Sequence, residues 1–163
     1  MADNTFRFYY EYVYPNETAI ERNFGEQVVN NTILSIIDNF IGRTVFETVY
    51  EQYLVREIQK QRLELLPTEI SRWWGNDVQL RQQSDIDIVL GNQDQVLLAE
   101  CKWRNAFNEI KGIQKLMDKK RLLPNYRSYH FYFFAQKEYG EKTKQLAAQY
   151  PELTLVTLEE LFD

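Results

Sequence analysis

Ser84-Asp-Ile-Asp-Ile-Val-Leu-Gly91, a polar break Asn92-Gln-Asp94, then Gln95-Val-Leu-Leu-Ala-Glu-Cys-Lys-Trp103: the rest of the chain is organised around this stretch. Two short apolar runs separated by Gly-Asn predict a β-hairpin. Side chains alternate across a strand. Ile86, Ile88 and Leu90 are therefore expected on one face, with Asp85, Asp87 and Val89 on the other. In the second strand Ala99, Cys101 and Trp103 share a face opposite Leu98, Glu100 and Lys102. Matching apolar face to apolar face fixes the pairing parity. A loop of four residues, Asn92 to Gln95, satisfies it and sets Asp87 across from Glu100, and Asp85 across from Lys102. Like charges directly opposed on a sheet are destabilising unless something offsets them. A divalent cation between Asp87 and Glu100 would do so, and without it one of the two carboxyls is expected to titrate upward. The competing account is a solvated sheet edge, to which Asp85 is assigned.

Composition narrows the chemistry. The 163 residues suffice for one domain with an ordinary core. No apolar run reaches the length of a membrane span, and no signal peptide opens the chain. A lone Cys101 builds no disulfide framework, so a cytoplasmic location is expected. With one cysteine and one histidine, His130, a His/Cys zinc site is excluded, and any metal must be oxygen-bound, as Mg²⁺, Mn²⁺ or Ca²⁺ are. A net charge of −5 argues against coating nucleic acid by bulk electrostatics but leaves room for a local basic groove.

Around the hairpin the elements follow in order. Phe6 to Tyr14 carries six aromatics in nine residues, an apolar segment expected to dock on something. Residues 1–23 are read as a connection to a preceding domain, and 24–163 as the α/β domain itself. Phe24 to Phe40 shows helical spacing and is expected to stop at Gly42. A second helix is expected from Thr44, with Thr44 and Glu47 fitting a capping box. Thr68 to Trp74 predicts a strand ending in Trp73-Trp74, where burial is expected for at least one ring. Asn105 is read as the cap of a crossover helix whose polar face carries Lys111, Lys115, Lys119, Lys120 and Arg121; with Lys102 and Arg104 these form the basic surface of an acidic chain. Tyr126 to Ala135 predicts a strand, Tyr139 to Tyr150 a helix and Leu153 to Val156 a last strand. Helix, three strands, crossover helix, strand, helix, strand is an α/β arrangement with a mixed sheet, and the crossover makes the Glu100 and Phe131 strands parallel.

Asp87 and Glu100-Cys-Lys102, with Glu47 after Phe46 in an upstream helix, resemble the PD-(D/E)XK nuclease superfamily, in its Holliday-junction resolvase and Mrr-like branch. Arg7-Phe-Tyr-Tyr10, Tyr14-Pro-Asn16, Ile20-Glu21, Arg72-Trp-Trp-Gly75 and Asp85-Ile-Asp-Ile-Val89 extend the likeness. Together they resemble the C-terminal domain of prokaryotic AAA-type ATPases. The resemblance implies a restriction-endonuclease-like αβββαβ core with an extra N-terminal helical segment. It also implies Mg²⁺- or Mn²⁺-dependent cleavage of DNA, with RNA left open, and an ATPase domain in the same polypeptide. Asp87 and Glu100 would bind the metal with the Cys101 carbonyl, Lys102 would hold the attacking water, and Glu47 would complete the outer shell. Arg104, Lys111, Lys115 and Lys119 would meet the phosphate backbone. Dimers are common among such nucleases, so a homodimer is an expectation of the same kind. The alternative is a non-catalytic accessory module that binds nucleic acid or regulates the ATPase; a plain structural domain ranks last, because it leaves Asp87 facing Glu100 unexplained.

Overall fold

A computed structural model of the chain describes residues 3–103 and 107–162. They form two compact units, Met1–Thr48 and Val49–Asp163.

The first unit is helical. Asp3 caps its opening turn, accepting the Thr5 N–H at 2.8 Å, as short acidic side chains do at helix starts. Of the N-terminal aromatics, Phe8 and Tyr12 pack on the Phe40 ring, with centroids 5.5 Å from it. Phe6, Tyr10 and Tyr14 stay exposed. The expected break at Gly42 does not occur. Helical backbone continues through Ile41–Val45, in a wide turn, into helix α1 (Phe46–Gln59). A glycine costs a helix only about 1 kcal/mol against alanine, too little to end one against the packing on both sides. Thr44 is therefore not a helix start, because helical backbone already runs through it into α1; the Thr44 side chain, and with it the expected capping box, lies outside the described residues.

The second unit is built on a five-stranded mixed sheet, β1 (Glu69–Asp77), β2 (Gln82–Gly91), β3 (Gln95–Lys102), β4 (Ser128–Ala135) and β5 (Leu153–Thr157), lying side by side in chain order. β1, β2 and β3 form an antiparallel meander, and β3, β4 and β5 are parallel. The αβββαβ order with an N-terminal helical segment is the arrangement expected from the sequence. Gly91 pairs with Val96 and Ile88 with Ala99, the register of a loop from Asn92 to Gln95. Asn92 holds that loop, its Oδ1 accepting the N–H groups of Asp94 and Gln95.

Adjacent phenylalanines of β4 divide the core between the two sheet faces. Phe134 stacks on Tyr50 of α1 at 4.0 Å, with Tyr53 edge-on at 6.0 Å. Phe133 points the other way, onto helix α2 (Glu109–Asp118) beneath Gly112. Helix α3 (Glu141–Ala147) shares that second face: the Thr143 hydroxyl and the Gly140 N–H both donate to the Glu109 carboxylate of α2. Tyr139, buried beside Phe133, donates to the Phe133 and Val156 carbonyls. The cap of α2 is Asn108, accepting the Lys111 N–H at 2.9 Å. Asn105, assigned that role from the sequence, lies outside the described residues.

One expected face assignment fails. Ile86 packs in the same buried cluster as Val89, Leu98 and Phe133, not opposite Val89. The cause is a register shift against β1: Ser71 pairs with Val89 but Trp73 with Ile86, so Arg72 alone opposes Asp87 and Ile88. An extra residue in one strand interrupts the alternation and bends it.

Candidate functional site

The shift falls on Asp87, and the β2–β3 pairing stops beside it at Ile88↔Ala99. In an antiparallel ladder every second residue pair exchanges both backbone bonds. Beyond Ile88 the Cys101 N–H is taken instead by Asp87 Oδ2, at 2.8 Å. The ladder thus ends in a side-chain bond, and the two strands part where Glu100 and Lys102 project.

Glu100 pairs in register with Phe133, which puts its side chain on the α2 side of the sheet. Each of its oxygens meets an ammonium group: Lys102 at Oε1, and Lys119, from the turn Lys119–Leu122 that follows α2, at Oε2 at 2.7 Å. The Glu100 and Lys119 side chains are 14% and 13% exposed, so the pair is shielded from water. Burial pushes the Glu100 carboxyl up, but Lys119 and Lys102 together outweigh it and hold its pKa below the ordinary range. Lys102 is the mirror case. Burial pulls its ammonium down, while Glu100, then Asp87 and Asp85, lift its pKa above the usual lysine value. The upward titration expected of an unaccompanied carboxylate pair does not hold for Glu100, because two lysines supply the cationic charge there.

Glu100 and Lys102 open into a cleft of about 490 Å³ between the β1–β2 end of the sheet and α2. Lys111 and Lys115, four residues apart on one face of α2, line it, and so does Lys119 from the turn that follows. Lys111 and Lys115 are exposed. Asp85 is exposed, as assigned from the sequence, and also lines the cleft, whereas Asp87 is turned onto the main chain of β3. Sequence reading placed Arg121 on the basic face but missed Asp77 and the pairing of the two. Asp77, 2% exposed, pairs with Arg121 across the end of the cleft and accepts the Leu80 N–H. No local pattern links positions so far apart.

A family described as archaeal and bacterial proteins of unknown function, DUF234, matches residues 9–113, more than half of the chain. The chain belongs to this family. An uncharacterized protein of Methanocaldococcus jannaschii, MJECL04, is 27% identical over 134 residues, covering 82% of this chain and 29% of that protein. No solved structure matches significantly. Neither DUF234 nor the archaeal relative carries a description that names an activity, and no nuclease superfamily is among these matches. The DUF234 match includes both β2 and β3 and ends in α2, so it spans Asp87, Glu100 and Lys102.

The remaining predicted residues fall as follows. Glu47 lies in the first turn of α1, half-buried, in the first compact unit. Arg104 lies outside the described residues. Among the described residues no three His, Cys, Asp or Glu side chains gather as a metal-ion set, and no described helix is long and apolar enough to cross a membrane.

Proposed function

We propose that the second unit is a metal-dependent phosphodiesterase domain of PD-(D/E)XK type, acting on DNA. The observation that carries the reading is the parting of β2 and β3: Asp87 and Glu100 stand on either side of it, and Lys102 interacts with both. Carboxylates and a main-chain carbonyl are hard oxygen donors, the chemistry Mg²⁺ or Mn²⁺ prefers, so the residues present fit such an ion. Asp87, Glu100 and the Cys101 carbonyl would hold it, with water completing its shell. The ion would supply Lewis acidity and a more acidic water.

The chain's own residues provide the rest. Lys102, kept protonated by its carboxylate neighbours, offers a fixed positive charge beside a phosphate's oxygens. Lys111 and Lys115 offset the acidic net charge along the approach. Lys119 and Lys102 both engage the Glu100 oxygens and would compete there with an ion held by Glu100. Glu47, to which the resemblance gives an outer-shell role, lies in the first compact unit and takes no part in this reading of the second. An ATPase domain elsewhere in the same polypeptide, and a homodimer, belong to the same reading. The 29% coverage of the archaeal relative is consistent with a domain of a longer protein.

Duplex and branched DNA incubated with Mg²⁺, Mn²⁺ or EDTA test the proposal. Cleavage that needs the metal and disappears in Glu100→Gln supports it; binding without cleavage under every condition overturns the catalytic part. One observation favours the accessory-module alternative. Both Glu100 oxygens are already engaged by lysines, as in a site that binds phosphates without a metal. Running the assay with RNA of the same sequences alongside the DNA distinguishes the two substrates.

A further inference from the structure

Trp74 is 82% exposed, while its neighbour Trp73 packs against the buried cluster of the sheet. A large ring held in water on a regular strand contributes nothing to the core that its neighbour does not already supply. Its surroundings are polar: Trp74 borders a second hollow with Asn76, Gln83, Ser84 and Asp85. Three of these, Gln83, Ser84 and Asp85, also line the cleft that holds Glu100 and Lys102. Asp85 pairs directly with Trp74 across the strands, and its charge acts on Lys102. An aromatic ring and amide groups thus adjoin, through Gln83, Ser84 and Asp85, a cleft that carries both lysines and carboxylates.

We infer that Trp74 is a stacking platform for an unpaired nucleobase, which makes the preferred ligand of this cleft a single-stranded or locally unpaired nucleic acid. A base needs a flat π-face and edge groups able to donate and accept; Trp74 provides the first, and Asn76 and Gln83 the second. The adjoining phosphates meet Lys111 and Lys115. Base pairs in an intact duplex bury their faces against one another, so the platform discriminates strand state and not sequence. The inference rests on the nucleic-acid part of the reading above and is independent of cleavage.

The test is fluorescence anisotropy in EDTA, so that no metal-dependent step enters. The probes are a thymidine oligonucleotide of about 12 residues, a length suited to one such module, the same strand with its central bases removed, its uridine counterpart and a matched duplex. The parent should bind the thymidine strand about 5- to 100-fold tighter than the abasic one. Trp74→Ala should remove most of that preference, Trp74→Phe should keep much of it, and duplex binding should be the same in all three. Since the ring is exposed, thermal melts of both variants should match the parent; if Trp74→Ala nevertheless misfolds, Trp74→Phe and the abasic comparison still decide. The uridine strand reports whether the sugar matters. Equal parent affinity for base-bearing and abasic strands, or an unchanged preference in Trp74→Ala, overturns the platform while leaving metal-dependent cleavage standing. No salt-sensitive binding to any probe overturns the platform together with the metal-free nucleic-acid binding it rests on.

Discussion

Lys119 and Lys102 share one carboxylate, and the consequences of removing either can be separated. Lys119→Gln leaves Glu100 shielded with a single ammonium partner, which should destabilise the fold by about 1–3 kcal/mol in urea titrations. Under the proposed function the same variant should bind Mg²⁺ more tightly by calorimetry, because a competitor for Glu100 has gone; weaker binding would contradict that role. Acid behaviour follows from the lowered Glu100 pKa. A carboxyl lowered on folding adds stability above its unfolded pKa and loses it as pH falls through the folded value. The gap in melting temperature between parent and Glu100→Gln should therefore shrink below the ordinary carboxylate range; a gap constant through the acid limb would be inconsistent with the pairing. Asp87 calls for a different pair of variants. Asp87→Asn keeps an oxygen for the Cys101 N–H and should hold most of the stability while losing any Mg²⁺-dependent rise in melting temperature. Asp87→Ala should lose both, at about 1–2 kcal/mol.

At the scale of elements, α2 carries the tightest constraint. A Cβ on Gly112 would stand 2.9 Å from the Phe133 ring, which is fully buried and has no room to withdraw. Gly112→Ala gains about 1 kcal/mol of helix propensity. It should nevertheless lower the urea midpoint, since overpacking a core costs about 1–3 kcal/mol. Asn108→Ala removes the cap and should cost about 1 kcal/mol. These elements also show where sequence reading succeeds. The hairpin register was legible because apolar parity and the loop Asn92–Gln95 admit few alternatives, and the parallel β3–β4 pair followed from the helix between them. The bend at Asp87 was not legible. It arises from where β1 meets β2, a partner choice that alternation within β2 cannot encode. The fate of Gly42 was hidden for a related reason, since a weak local stop signal yields to packing along the helix. Trp73 and Trp74 were read as a pair, and only the sheet assigns them opposite surroundings.

Across the whole molecule, charge is divided unevenly: a net −5 chain presents Lys111 and Lys115 on one cleft. Replacing both by Gln should flatten the plot of log affinity against log salt by about 1–2 for a single strand, about equally for unrelated sequences. A slope that does not move would remove these lysines from the interface. The strand order has a different consequence, one that unfolds in time. Because the order across the sheet is the order along the chain, each strand pairs only with those adjacent in sequence. The longest closure between partners is the crossover from Lys102 to Ser128. Loop closure entropy must be met before a pairing rewards it, so the meander can zip early while β4 and β5 wait for α2 to bring them alongside. During synthesis the meander would then emerge complete, with the outer side of β3 open to the next strand to arrive. Pulsed hydrogen exchange during refolding should find the amides of Leu90 and Leu97 protected before those of Thr154 and Val156, which face β4.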